Sequence, residues 1–256
     1  MIPKKIHYCW FSNDPIPKVI QHCLDSWNAV LAGYEIVLWN LQNFEADCVF
    51  AEKAIAENKW AFLTDYARFK IIHEEGGIFL DSDVLMVKSF DDLLEYNSFW
   101  GQADNGLVEP VVFGAEKGNE LVKECLACYK TYNLSDGFIE VPKVIAPIFI
   151  QHGVELSACG VQYAAHATVF PFDYFCPMPF EKADSKDPLS FKTNNTYAIH
   201  LWNATWFDPF RFFWNGRHKS GWRAVYSVLR NNPNQGWSFY RNVAYHLKCT
   251  IFGYPK

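Results

Sequence analysis

Two rhythms of apolar residues alternate along the first hundred positions. Ile6-His7-Tyr8-Cys9-Trp10-Phe11 is a nearly unbroken apolar run closed by the turn-forming Ser12-Asn13-Asp14-Pro15, and it predicts a short buried strand. After Pro17 the apolar positions become Val19, Ile20, Cys23, Leu24, Trp27, Val30 and Leu31, the spacing of one helix face, which stops at Gly33. A second strand is expected over 34–38, helices over about 45–58 and from Trp60 to Glu75, and a third strand at Ile78-Phe79-Leu80, after the helix-stopping Gly76-Gly77. Strands that alternate with helices predict the α/β class, with a parallel sheet covered by helices. Helical spacing returns near 118–131, 220–231 and 238–248, and strand-like runs occur at 168–170 and 197–202. Residues 133–196, rich in Pro, Asn and Asp, are expected to be loops and short elements.

Composition narrows the class. Half of the 256 residues are hydrophobic and the formal net charge is only −5, which disfavours disorder and a nucleic-acid-binding arm. The longest apolar runs, such as 144–150, fall short of the roughly 18 to 20 residues of a membrane-spanning helix. The first residues, Met1-Ile2-Pro3-Lys4-Lys5-Ile6, lack the apolar stretch of an export signal, so a cytoplasmic location is expected. Eight scattered cysteines then read as reduced, mostly buried thiols. Cys125 and Cys128 have the spacing of half a zinc knuckle, but no second pair completes it and they lie in a helix-like run.

Charge is unevenly placed. Residues 206–256 hold eight Lys or Arg against Asp208 alone, together with fourteen aromatic residues, and the acidic excess lies in residues 1–205. The expected organisation is a body, 1–205, with a basic aromatic C-terminal helical extension, 206–256, packed on it. That composition suits sugar stacking, or peripheral contact with the anionic inner face of the plasma membrane; a packed core with a solvated basic face is the plainer alternative.

The chemistry concentrates at Asp81-Ser82-Asp83, directly after the third strand. On an extended chain residues i and i+2 share a face, so both carboxylates should converge beyond the strand's C-terminal end, where ligands bind in open α/β sheets. Two carboxylate donors suit Mg²⁺ or Mn²⁺, which can bridge to a diphosphate. Fourteen Asp make roughly one chance Asp-x-Asp expected in such a chain, so the neighbours must decide. Asp65 and Arg68 stand three apart on the preceding helix, either as an ordinary ion pair or as an acceptor and donor for sugar hydroxyls. Gly76-Gly77 lets the backbone pass tightly into the strand. His7 reads as structural, and Asp104 and Glu109 as ordinary loop acids.

Thr64-Asp65-Tyr66-Ala67-Arg68, followed by Gly76-Gly77-Ile78-Phe79-Leu80-Asp81-Ser82-Asp83-Val84, resembles the sugar-binding region of Asp-x-Asp glycosyltransferases. This is the family of the yeast initiation-specific α-1,6-mannosyltransferase and of bacterial capsular-polysaccharide transferases, with clostridial glucosylating toxins as more distant relatives. Its N-terminal signature is similar to Ile2-Pro3-Lys4-Lys5-Ile6-His7-Tyr8-Cys9-Trp10-Phe11. The resemblance is good over 1 to about 105 and moderate over 197–206, and it departs at Ser12-Asn13, where many relatives have glycines. It implies a GT-A fold with a single Rossmann-type sheet, a nucleotide-sugar donor (a UDP-sugar favoured, a GDP-sugar allowed), Mn²⁺ or Mg²⁺, and retention of anomeric configuration. By the same resemblance Tyr8 and Trp10 meet the nucleobase, Asp65 and Arg68 hold the donor sugar, Gly77 belongs to the binding region, and Asp81 and Asp83 are catalytic metal ligands. His200, by itself an ordinary structural histidine after an apolar strand, is implied as the third ligand, and Trp202 and Trp206 as residues closing over the diphosphate or a glycan or lipid-linked acceptor, although as core aromatics they would look the same in sequence.

Two other classes compete. A haloacid-dehalogenase-like phosphatase places Asp-x-Asp-x-Thr/Val after a strand, but here Leu85 occupies the fifth position. A catalytically silent nucleotide-sugar binder is opposed by the intact acidic pair.

Overall fold

A computed structural model describes residues 1–156, 159–183, 185–203, 222, 225–226, 228–229 and 236–252. A seven-stranded sheet organises the larger part. Its strands are β1 (Lys5–Cys9), β2 (Glu35–Trp39), β3 (Gly77–Leu80), β5 (Ser98–Gln102), β6 (Val108–Ala115), β7 (Gln162–Tyr163) and β8 (Thr168–Phe170), in the spatial order β2-β1-β3-β6-β5-β8-β7. The expected parallel pairing holds for β1 with β2 and β3, and for β5 with β8. The sheet is nevertheless mixed, because β6 runs antiparallel between β3 and β5. A separate two-stranded ribbon pairs β4 (Val84–Met86) with β9 (Ala198–His200).

Helices α1 (Lys18–Val30), α2 (Val49–Ala56), α3 (Trp60–Glu75), α4 (Glu120–Thr131) and α5 (Val141–Gln151) flank the sheet, so the α/β class read from the sequence is the one observed. Period-two alternation along β3 separates two cores. Phe79 faces a cluster with Tyr66, Phe69, Trp100 and Phe149, whereas Ile78 and Leu80 face one with Ile6, Trp27, Phe90 and Phe175. The buried stripe of α1 (Ile20, Cys23, Leu24, Trp27) follows the expected spacing, and the Trp27 indole donates to the Val84 carbonyl at 2.7 Å.

The turn from α3 into β3 needs its glycines. Gly76 and Gly77 have φ of +67° and +104°, and a Cβ on Gly77 would lie 2.8 Å from the Lys5 carbonyl oxygen. His7 ties this corner together. Its Nδ1 accepts from the Trp39 indole at 3.1 Å, which leaves Nε2 to donate to the Gly76 carbonyl at 3.0 Å.

Two further expectations change. Helix α5 lies in the segment read as loops; Pro142 and Pro147 obscure it, although Pro142 falls in the tolerant first turn and Val141, Ile145, Ile148 and Phe149 form a buried face. The strand expected over 197–202 is only the three residues of β9, and Trp202 turns away with a φ of +54°.

The contacts divide the chain into one unit of residues 1–178 and 187–201 and a second of 179–186 and 202–256. In the second unit, α6 (Trp237–Phe252) packs Phe239, Val243 and Leu247 on Val225 and Val228, and exposes Trp237, Tyr240, Tyr245 and Ile251. Most of the helix expected over 220–231 lies outside the described residues. No helix among the described residues is long and apolar enough to cross a membrane.

Candidate active site

Arg68 joins three elements at one edge of the sheet. From α3 its guanidinium donates to Asp65 Oδ1 at 2.8 Å and to the Pro110 carbonyl of β6 at 2.7 Å, and it lies 3.2 Å from Asp81 Oδ1 beyond β3. It also sits over the Phe79 ring, 5.1 Å from the centroid. The three-residue spacing places Asp65 and Arg68 on one helix face, and because both are buried, that face turns into the protein.

The Asp81–Asp83 segment is a turn rather than the extended chain expected. The Asp81 amide donates to the Val111 carbonyl at 2.8 Å, extending the β3–β6 ladder, and the Val84 amide then closes back on the Asp81 carbonyl at 3.1 Å. The carboxylates still converge, now with a residue more than a hundred positions away. Pairing of β4 with β9 sets Val84 opposite His200, and the Leu201 amide donates to the Asp83 carbonyl at 3.0 Å. His200 Nε2 consequently lies 3.4 Å from Asp83 Oδ1, and one ligand atom from each of Asp81, Asp83 and His200 falls within 4.8 Å of the others.

Burial and charge oppose each other in this site. Burial raises the Asp65 carboxyl to about 7, against the pull of Arg68. It raises Asp81 as well, again against Arg68 and with Asp83 adding repulsion. Burial alone would lower the His200 imidazole, but the Asp83 carboxylate beside it and a hydrogen bond with Cys176 carry it well above the ordinary range. Two carboxylates and one imidazole within reach of a common point form a fitting donor set for Mn²⁺, since carboxylate suits Mg²⁺ and Mn²⁺ and imidazole suits first-row transition metals.

The structure thus brings Asp65, Arg68, Asp81, Asp83 and His200 together. The other implied residues that are described make contacts of their own. Tyr8 lies in the core beneath α1, edge-on to Trp27 with centroids 5.2 Å apart. Trp10 is half-buried and donates from its indole to the Asp14 carbonyl at 3.0 Å. Gly77 occupies the end of β3 opposite to Asp81, against β1. Trp202 meets Phe180 edge-on at 5.6 Å, and Trp206 lies outside the described residues.

Glu109 was read as a loop acid and belongs to β6 instead. Burial raises its carboxyl to about 7, opposed by His200 and Arg68 and reinforced by Asp81 and Asp65. The signal available in the sequence was an acid set inside the apolar run Val108 to Ala115. Asp104, the other loop acid, is exposed on the β5–β6 hairpin.

This arrangement of a mixed α/β sheet with acids at one edge is accompanied by a match to known proteins. Residues 1–132 match the family described as capsular polysaccharide synthesis protein. The match covers just over half of the 256 residues, and the chain belongs to that family. The chain is also 26% identical over 181 residues to lactosylceramide 4-alpha-galactosyltransferase of Mus musculus, covering 62% of this chain and 47% of that one. Inositol phosphoceramide mannosyltransferase 3 of Schizosaccharomyces pombe is 25% identical over 166 residues, covering 58% and 44%. Subversion of eukaryotic traffic protein A of Legionella pneumophila is 25% identical over 172 residues, covering 54% and 26%. The chain therefore spans half or less of the length of these relatives. Among solved structures, PaToxG glycosyltransferase superposes with a TM-score of 0.49 at 14% identity, covering 98% of this chain and 86% of that one.

Proposed function

We propose that the chain is a metal-dependent glycosyltransferase of the GT-A kind, which moves a hexose from a nucleotide-sugar to a hydroxyl of a glycan or lipid-linked acceptor with retention of configuration. One observation carries this reading: the buried Asp65–Arg68 pair and the Asp81–Asp83–His200 cluster share the C-terminal end of β3. Two relatives whose names specify galactosyl and mannosyl transfer support it. In this reading a UDP-sugar is the favoured donor; Mn²⁺ is the favoured cation, because the donor set includes an imidazole.

Loss of a nucleoside diphosphate leaves negative charge on phosphate and positive charge on the sugar. A divalent cation held by Asp81, Asp83 and His200 would supply Lewis-acid stabilisation of the departing phosphate. The remaining work falls to the chain. Arg68 occupies one oxygen of Asp65 and so orients the other toward a sugar hydroxyl. The buried surroundings of this pair exclude water, which disfavours hydrolysis of the donor. His200 must shed its proton to serve as a ligand, so binding of the cation and deprotonation are linked.

In this reading residues 1–205 form the catalytic domain and 206–256 an extension that touches an anionic cytoplasmic membrane surface. Support comes from α6, where Trp237, Tyr240 and Ile251 are exposed with Arg241 and Lys248 on a helix that contains no acid. Binding to anionic vesicles at low salt, lost at high salt, tests the contact; flotation with neither anionic nor neutral vesicles removes it.

The transferase itself is tested by screening UDP- and GDP-sugars for a rise in Tm with Mn²⁺ present, then following the radiolabelled donor that binds. Turnover that stops in EDTA and returns with Mn²⁺ is expected. Binding without turnover would make the protein a silent nucleotide-sugar binder, and turnover unaffected by EDTA would remove the metal assignment.

A further inference from the structure

A cleft of about 240 Å³ opens at the ends of β5 and β8, between the β5–β6 hairpin and the residues after β8; Gln102, Asp104, Asn105, Phe172 and Asp173 are among those lining it. Strands β1, β3, β5 and β8 all run in one direction, so the cleft and the Asp81–Asp83 turn lie along the same edge of the sheet. Ligand sites of open α/β sheets collect at this edge.

Both walls connect along the chain to residues that meet the candidate active site. The hairpin wall is held by the Ala103 amide on the Leu107 carbonyl and the Gly106 amide on the Ala103 carbonyl, each at 2.9 Å. Buried Gln102 adds a 3.2 Å bond to the Gly106 carbonyl, and three residues later the chain reaches Glu109, which feels the charges of His200, Arg68 and Asp81. The opposite wall carries Asp173, whose Oδ2 accepts from Thr193 and Asn195 at 3.0 Å each. Two residues further, the Phe175 carbonyl accepts from the His200 amide at 3.2 Å. A molecule in the cleft would therefore lie between the two segments that lead to the metal-ligating cluster.

The lining defines what it accepts. Phe172 is 43% exposed, an aromatic surface that can pack against the C–H face of a pyranose, and Asp104, Asn105 and Asp173 offer hydroxyl partners around it. No Lys or Arg is among the described lining residues, so a diphosphate finds no counter-charge there, and the two carboxylates repel an acidic sugar. The volume lies just below the roughly 300–1,000 Å³ of drug-sized pockets, which suits one sugar ring rather than an oligosaccharide.

We propose that this cleft is the acceptor subsite and holds the terminal sugar of an uncharged glycan. The inference rests on the glycosyltransferase reading but is tested by a separate measurement. Saturation-transfer NMR on the full chain with Mn²⁺ and UDP, using the methyl glycosides of glucose, galactose, N-acetylglucosamine and glucuronic acid as probes, reads binding directly. Signal from at least one neutral glycoside and none from the glucuronide is expected. Phe172→Ala should abolish that signal and Phe172→Tyr should restore it, while Mn²⁺ still raises the Tm of both variants. No signal from any glycoside, or a signal indifferent to Phe172→Ala in the folded variant, overturns the proposal. Phe172-dependent binding without donor turnover leaves the cleft a sugar site but overturns its acceptor role together with the transferase reading; turnover with signals unaffected by Phe172→Ala overturns the cleft alone.

Discussion

Helix α3 carries two charge networks that begin only two residues apart and behave in opposite ways. Arg68 turns inward to Asp65 and Asp81, while Lys70 turns outward to Asp47 and Glu74, with Lys130 of α4 completing the outer group. The Arg68 side chain is 5% exposed and that of Lys70 15%, but the outer partners Asp47, Lys130 and Glu74 are 38%, 44% and 52% exposed, against 12% for Asp65 and 20% for Asp81. In the outer network burial pushes the Asp47 carboxyl up, but the Tyr66 hydroxyl and the Lys130 and Lys70 ammonium groups prevail and hold it down at about 2. In the inner network the guanidinium does not prevail, and burial leaves Asp65 raised to about 7. In this protein the attraction of the cations outweighs desolvation in the outer network, and desolvation outweighs it in the inner one. The outer group is an ordinary surface network; the inner one holds charge at a cost in desolvation, the arrangement expected of a site that must meet a polar substrate.

The largest test of this contrast removes the inner cation. Arg68→Met should destabilise the fold by about 3–5 kcal/mol, because Asp65 and Asp81 would remain buried without their partner. Urea unfolding measures this, and a loss below 1 kcal/mol would place Arg68 among surface-like pairs. Next, Asp83→Asn should abolish the rise in Tm produced by Mn²⁺ and reduce transfer at least a hundredfold, about 3 kcal/mol of transition-state stabilisation. Retention of the Mn²⁺ shift would mean that another donor set binds the ion.

A smaller effect comes from His7, buried between Trp39 and Gly76 without a carboxylate contact. Burial lowers its pKa from 6.5 to about 4, even though the Gly76 carbonyl favours the charged form. Because the folded-state value lies below the unfolded one, the neutral ring contributes its full share of stability above about pH 6.5, and this contribution is lost as pH falls to about 4. The stability difference between the wild type and His7→Gln should therefore shrink over that interval; a difference constant with pH would show that His7 is not held neutral. The smallest effect belongs to the outer network, where Lys70→Ala should cost about 0–1 kcal/mol and leave transfer unchanged. A larger loss would erase the distinction between the two groups.

Much of this was legible along the chain, for reasons that differ by element. The edges of α1, α3 and β3 follow from local signals: one apolar helix face, a glycine pair that ends a helix, and a short apolar run. Asp65 and Arg68 share a helix face by spacing alone, and Asp81 and Asp83 stand just past a strand. Helix α5 escaped because its prolines are turn signals in sequence, whereas in the folded chain its apolar face is buried against β6 and α4. The longest strand, β6, escaped because Glu109-Pro110 interrupts its apolar pattern.

Local chemistry determined the α/β class, the glycine turn into β3 and the pairing of acid and guanidinium on α3, since each depends on residues within a few positions of one another. Only the tertiary structure decided that β6 lies antiparallel inside the sheet, that Asp81 and Asp83 converge through a turn, and that Glu109 belongs to a buried strand. It also brought His200 to Asp83 through the β4–β9 ribbon. These outcomes depend on which strands meet across long stretches of chain, and pairing of that kind is selected by the burial of two complete sheet faces rather than by the preferences of any single segment.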